Sequence, residues 1–155
     1  MTFNCDEQLG GFAILDFFLL EETSNWPLVV TDQTSNQVSI SPFPNDVEGT
    51  VEPESIKVSV NLKNGAEGET HQIDISFKFI TRSESIEQLL DQYSNKPGIS
   101  IGKLNTEFQK MYGTNLEPLY MNFEVDEGTK IDGSAAVEVR IKGETRKRPV
   151  YYTVV

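Results

Sequence analysis

Two runs of strict alternation constrain the fold of this chain more than anything else in its sequence. Ile56, Val58, Val60 and Leu62 fall on one side of an extended segment, with Ser55, Lys57, Ser59 and Asn61 on the other. Ile73, Ile75, Phe77 and Phe79 repeat the pattern against Asp74, Ser76 and Lys78. A period of two sends successive side chains to opposite faces of a strand, so each run reads as half-buried sheet. Asn64-Gly65 between them is a turn dipeptide, and the pair predicts a hairpin with one apolar face.

Alternation returns in Leu119, Met121, Phe123 and Val125, and again in Val137, Val139 and Ile141. Gly143 to Pro149 reads as a loop, and Val150 to Val154 as a last short strand. Phe12 to Leu20 follows the flexible pair Gly10-Gly11. Its dense aromatic and branched content, interrupted by Asp16, predicts a strand buried on both faces. Leu28-Val29-Val30 and Val38-Ser39-Ile40 read as short strands around the turn formers Asp32 to Asn36, and Pro42, Pro44 and Pro53 exclude a sheet interior nearby. Ile99 to Gly102 reads as strand. Leu104 to Tyr112 fits either a hairpin turning near Asn105-Thr106 or a short helix ended by Gly113.

One helix is expected. Thr81-x-x-Glu84 has the spacing of a capping box, and Ile86, Leu89, Leu90 and Tyr93 form a single apolar stripe opposite Glu84, Glu87 and Asp91. Asn95-Lys96-Pro97-Gly98 stops it. With 155 residues, enough for one core, the chain reads as a single mainly β domain over 1–155: a β-sandwich or small barrel with one packed α-helix.

The inventory of reactive side chains is short. One cysteine, Cys5, and one histidine, His71, fall below the four ligands of a structural zinc site and leave no internal disulfide. No phosphate-binding GxxxxGK[ST] stretch is present, and Asp126 to Asp132 lacks the alternating oxygen ligands and closing glutamate of a calcium hand. The paired carboxylates Glu21-Glu22, Glu52 with Glu54, and Asp126-Glu127 sit among turn formers and read as solvated loops. Neither catalytic, cofactor-binding nor metal-binding residues are expected, and the chain reads as no enzyme. No apolar run approaches the ~18 residues of a membrane helix, and no secretory leader is expected.

Charge is unevenly spread. The chain carries 24 acidic and 13 basic residues, a net −11. Residues 1–70 hold 12 acids and 2 bases, whereas residues 71–155 hold 12 acids and 11 bases, including Arg146-Lys147-Arg148. So acidic a chain is unsuited to gripping DNA phosphates. An acidic portion with a locally basic tip does suit head-to-tail contact between copies.

The order of these elements resembles the tail-tube family of tailed phages, which is similar in fold to the type VI secretion tube protein. The resemblance rests on Cys5-x4-Gly10-Gly11-Phe12-Ala13-Ile14-Leu15, similar to the opening of tube-like virion proteins in phages of Bacteroidetes. It continues through His71 to Phe77, the Ile86–Tyr93 helix, Gly98 to Gly102 and the closing Pro149-Val150-Tyr151-Tyr152, covering residues 5–22 and about 70–153. It extends in topology to ring or collar proteins of crAss-like phages.

What the resemblance implies is a virion structural protein forming a homo-oligomeric ring or tube in a phage neck or tail. Its partners would be identical subunits and other neck or tail proteins. DNA would be a cargo passed without specific binding, and no membrane would be involved. Assembly would occur in the host cytoplasm, and residues 23–69 would be a loop- and hairpin-rich insertion used in assembly contacts. The aromatics Phe12, Phe17, Phe18, Phe77, Phe79 and Phe123 are expected in the core. Trp26, Arg146, Lys147 and Arg148 are the expected subunit-interface residues. The alternative is a β-sandwich binding module, an adhesin or carbohydrate-binding domain, using Trp26 and Tyr120 as an aromatic platform.

Overall fold

The computed structural model describes residues 2–4, 12–40, 56–66, 68–79, 84–104, 108–126 and 136–152. The expected features at Cys5, Gly10-Gly11, Thr81, Asn105-Thr106 and the prolines 42, 44 and 53 lie outside these residues, as does most of the Asp126 to Asp132 loop. Among the described residues the chain is mainly β, as the alternation requires, with one α-helix. Its strands are β1 (Thr2–Asn4), β2 (Phe12–Leu19), β3 (Thr23–Ser24), β4 (Ser39–Ile40), β5 (Lys57–Gly65), β6 (Gly68–Phe79), β7 (Pro97–Leu104), β8 (Gln109–Tyr112), β9 (Leu119–Asp126), β10 (Ala136–Thr145) and β11 (Val150–Tyr152). The helix α1 spans Glu84–Tyr93. Nine strands form one antiparallel sheet in the order β1-β2-β7-β9-β10-β6-β5, with β8 branching from β7 and β11 from β8, and the sheet curls into a half-barrel. The two residues each of β3 and β4 pair separately.

Pairing of β2 with β7 organises the interior. Leu15, Phe17 and Leu19 oppose Gly102, Ser100 and Gly98, while Asp16 and Phe18 oppose Ile101 and Ile99. On one face large side chains therefore meet glycine and serine, so Phe17 can lie across β7 and reach Tyr93 of α1 edge-on, ring centroids 6.2 Å apart. On the other face Phe18, Ile99 and Ile101 join Met111 and Val38 in a second core. From Leu15 to Leu19 both faces of β2 thus pack against a core, which explains a sequence with no polar alternation.

The first core gathers the inward side chains of β6, β9 and β10 under α1, whose Ile86, Leu90 and Tyr93 point into it. Fully burying a side chain such as Leu90 contributes roughly 1.5–3 kcal/mol. Glu22 ties helix to strand: its carboxylate accepts the Tyr93 hydroxyl at 2.9 Å and the Leu19 amide at 3.1 Å. The second core is covered by the 20–40 segment, with Leu20, Trp26, Val30 and Ile40 packed against it from one side and Val150 and Tyr152 of β11 from the other.

Several boundaries differ from the sequence pattern. The β5–β6 hairpin is present, but Asn64 and Gly65 are not its turn: both are paired, opposite Glu69 and Gly68, and the chain reverses after them. Its far half also leaves the core, with Val60 39% and Leu62 56% exposed, because α1 covers only the other end of the sheet. The 104–112 ambiguity resolves as strands β7 and β8, paired antiparallel. Phe17, Phe18, Phe77 and Phe79 are buried and Phe123 packs against the first core.

The strand β10 does not stop at Gly143 but continues to Thr145. A Cβ at Gly143 would overlap Cδ2 of the fully buried Leu119 and lie 3.0 Å from the Pro118 carbonyl oxygen. The glycine is there for close approach, not to break the strand. Gly143→Ala is expected to cost about 1–3 kcal/mol in chemical denaturation, since neither the buried leucine nor the backbone can yield cheaply. Ser100 is fully buried with its hydroxyl unpartnered among the described residues. An unsatisfied buried hydroxyl is a liability, so Ser100→Ala should leave stability unchanged or raise it by about 1 kcal/mol in the same measurement.

Candidate functional site

Three loops that are remote in sequence meet beside the second core. In the first, Leu28-Val29-Val30 is not the expected strand. Pro27 precedes it, and Thr31 and Thr34 bond reciprocally: the Thr31 amide donates to Thr34 Oγ1 at 2.8 Å and the Thr34 amide to Thr31 Oγ1 at 3.2 Å. Thr34 Oγ1 also donates to the Val29 carbonyl at 2.8 Å, closing the segment into a turn. Val30 turns inward, whereas Leu28 is 98% and Val29 51% exposed.

The second loop follows β8. Gly113 has φ +86°, a conformation that favours glycine, and it begins a turn in which the Thr114 amide donates to the Glu117 carbonyl while the Glu117 amide donates to Thr114 Oγ1. Leu116 at its tip is 78% exposed. The third loop joins β10 to β11 and carries Arg146-Lys147-Arg148. Thr145 Oγ1 donates to the Lys147 carbonyl at 2.7 Å, and the Arg146 amide donates to Glu117 Oε2 at 2.6 Å.

Between these loops lies a cleft of about 240 Å³. Buried Met111 and half-buried Val30 and Val150 form its floor, and exposed Leu28, Val29 and Leu116 its apolar rim. The basic residues edge the same opening. They are not equivalent. The Arg148 guanidinium donates to Asp32 Oδ2 at 2.8 Å, whereas Arg146 Nε stands 3.9 Å from Glu117 Oε1 with its side chain 87% exposed. Lys147 is exposed and makes no ion pair among the described residues. Two carboxylates thus face three cations, and the surplus positive charge lies on the cleft's edge.

Asp32 has a further duty. Its Oδ1 accepts the Tyr151 amide at 2.9 Å, and Ser35 Oγ donates to the Tyr151 carbonyl at 2.8 Å. Both backbone groups that β11 turns away from β8 are therefore capped by side chains. The bond from Arg148, the bond from Tyr151 and the Arg148 charge hold the Asp32 carboxyl below its ordinary value of 3.8, and Asp32 in turn raises Arg148.

The structure brings three of the four expected interface residues together at the cleft. Trp26 does not line it: its indole N–H donates to Thr23 Oγ1 at 2.9 Å, and its ring packs on the second core. Two of the three basic-tip residues expected to meet an acidic neighbour already do so within the chain, Arg146 through Glu117 and Arg148 through Asp32. Leu28 and Leu116 were not foreseen, since their exposure depends on loops whose convergence no local pattern encodes. Nor was the exposed pair Phe108 and Tyr151, edge-to-face at 6.1 Å with Lys110 Nζ 5.0 Å over the Tyr151 ring. Among the described residues there is no group of three or more His, Cys, Asp or Glu that could hold a metal, and no helix long and apolar enough to cross a membrane. No family model, curated protein or solved structure matches the chain.

The direction of the Asp32 shift fixes a pH dependence. A carboxyl whose pKa is lowered by folding contributes stability that is complete above its unfolded value and is lost as pH falls through the folded one. The clasp should therefore persist to below pH 3.8. In a carbon-detected NMR titration Asp32 should show a midpoint under that value. Arg148→Ala should move the midpoint part of the way back, because the Tyr151 amide remains.

Proposed function

We propose that this chain is a non-enzymatic structural subunit, built to join copies of itself into a ring or tube in the neck or tail of a phage virion, with DNA as cargo in transit. The observation that carries this reading is the cleft between the three loops. A leucine held 98% exposed by a hydrogen-bonded turn, beside an apolar hollow and a surplus cation, is a surface made to be covered. Its charge is complementary to the acidic N-terminal half of the same sequence, so one patch of one copy can meet a different patch of the next. That is the heterologous geometry from which rings and tubes are built. A net charge of −11 per copy also suits a conduit, since acidic walls repel phosphate. Other neck or tail proteins would stack above and below the ring, and assembly would take place in the host cytoplasm.

A second reading, a glycan-binding module, draws on Phe108 and Tyr151, 61% and 42% exposed. Their edge-to-face arrangement and the lysine over the tyrosine ring leave no flat two-ring platform, which favours the subunit reading. Tyr120, 48% exposed on β9, and the internally bonded Trp26 offer less.

Mass photometry and negative-stain imaging across a concentration series test the proposal. Closed or stacked multimers are expected, and Lys147→Glu should weaken them most at low salt, with the difference shrinking as salt screens the contact. A strictly monomeric chain that also fails to join neck or tail proteins would overturn it; glycan-array binding lost on Tyr151→Ala would favour the second reading.

A further inference from the structure

We infer that the cleft is a receptor for residues 41–55 of a neighbouring copy, a deepening that rests on the subunit reading above. The cleft dictates the chemistry of its occupant. At about 240 Å³ it falls under the roughly 300–1,000 Å³ of small-molecule sites, and it is open along one side, so it suits the side chains of a passing peptide segment. An apolar floor and the Leu28, Val29 and Leu116 rim call for one or two large apolar side chains. Lys147 and the loosely paired Arg146 call for carboxylates close by.

One stretch of the chain matches this description. Residues 41–55 read Ser-Pro-Phe-Pro-Asn-Asp-Val-Glu-Gly-Thr-Val-Glu-Pro-Glu-Ser, with four acids, no base, and Phe43, Val47 and Val51 set among them. Competing acidic stretches fit less well. In Glu21-Glu22 the second carboxylate is engaged with Tyr93 and Leu19, and residues 124–132 include Lys130. Pro42, Pro44 and Pro53 restrict the backbone, so docking such a sequence costs less ordering entropy than docking a freely rotating one. The cleft, for its part, is set in advance by the Thr31–Thr34, Thr114–Glu117 and Thr145–Lys147 hydrogen bonds, so little is lost on that side either. Phe43 is the anchor that would enter the hollow. Asp46 and Glu48 follow closely enough to meet Lys147 and Arg146.

Two measurements on the full-length protein test this. The first titrates a fluorescently labelled synthetic peptide of residues 41–55 onto dilute protein. Saturable anisotropy is expected, at least tenfold weaker for Leu28→Ser/Leu116→Ser and for a peptide carrying Phe43→Ser, and weakened further by added salt. Both leucines are surface residues, so the double variant should fold, which its circular dichroism and melting profile will verify. Absence of saturable binding, or binding indifferent to the two leucines, would overturn the inference.

The second measurement mixes two full-length variants, one with Leu28→Ser/Leu116→Ser and one with Phe43→Ser/Asp46→Asn/Glu48→Gln. Each should fail to assemble alone, and the mixture should form pairs, because one intact cleft then faces one intact segment. If each chain filled its own cleft, mixing would restore nothing, and the inference would be overturned. Wild-type multimers with both variants still assembling would likewise overturn it while leaving the subunit reading in place. A monomeric wild type would fail the subunit reading, and the peptide titration would still decide the cleft's chemistry.

Discussion

The interlock of β2 with β7 is the constraint on which the rest of the molecule depends. Two adjacent strands bury both faces only if their side chains divide the available volume, and here they do so by opposing Leu15, Phe17 and Leu19 to Gly102, Ser100 and Gly98 on one side. The phenyl ring of Phe17 occupies the space that a side chain at Gly98 would need, its Cζ lying 2.5 Å from where that Cβ would stand. Because Ile99 and Ile101 of β7 go to the other face, a second core exists there, and it must be covered by something. The 20–40 segment is that cover. The loop from which Leu28 projects is thus a by-product of a strand whose two faces both pack against a core.

Coverage is unequal, and the inequality decides which surfaces remain available. One helix, about three turns long, shields the sheet only where Ile86, Leu90 and Tyr93 reach. Past it, Val60 and Leu62 continue the inward-facing row of the β5–β6 hairpin without a roof among the described residues. On the opposite side the second core ends at Met111, Val30 and Val150, which are left as the floor of an open cleft. Both apolar exposures are therefore margins of the two cores, not isolated surface accidents.

The fold was legible in the sequence wherever burial follows the local period. Alternation located β5, β6, β9 and β10, the stripe Ile86-Leu89-Leu90-Tyr93 located the helix, and dense apolar content announced a strand buried on both sides. It failed where hydrogen bonds outside the pattern decide. The branched Leu28-Val29-Val30 run has strand composition, but threonine hydroxyls turn it into a loop; Gly143 reads as a break, but its missing Cβ makes room for Leu119. The cleft was illegible for a different reason. Arg146, Lys147 and Arg148 were recognisable as a basic tip, yet Arg148 and its partner Asp32 are 116 positions apart, and nothing local to either predicts the meeting. Exposed leucines carry no signature at all until the loops that hold them are placed in space.

The capping of Tyr151 has a consequence for how sheets of this kind stay finite. A terminal strand ordinarily invites another strand, because its outward amide and carbonyl are unused. Here an aspartate and a serine occupy both, so the boundary of the sheet on that side is written in two replaceable side chains and not in backbone geometry. Removing those two groups would uncover that amide and that carbonyl, so on this side of the sheet the difference between a sealed margin and an adhesive one is drawn by a carboxylate and a hydroxyl.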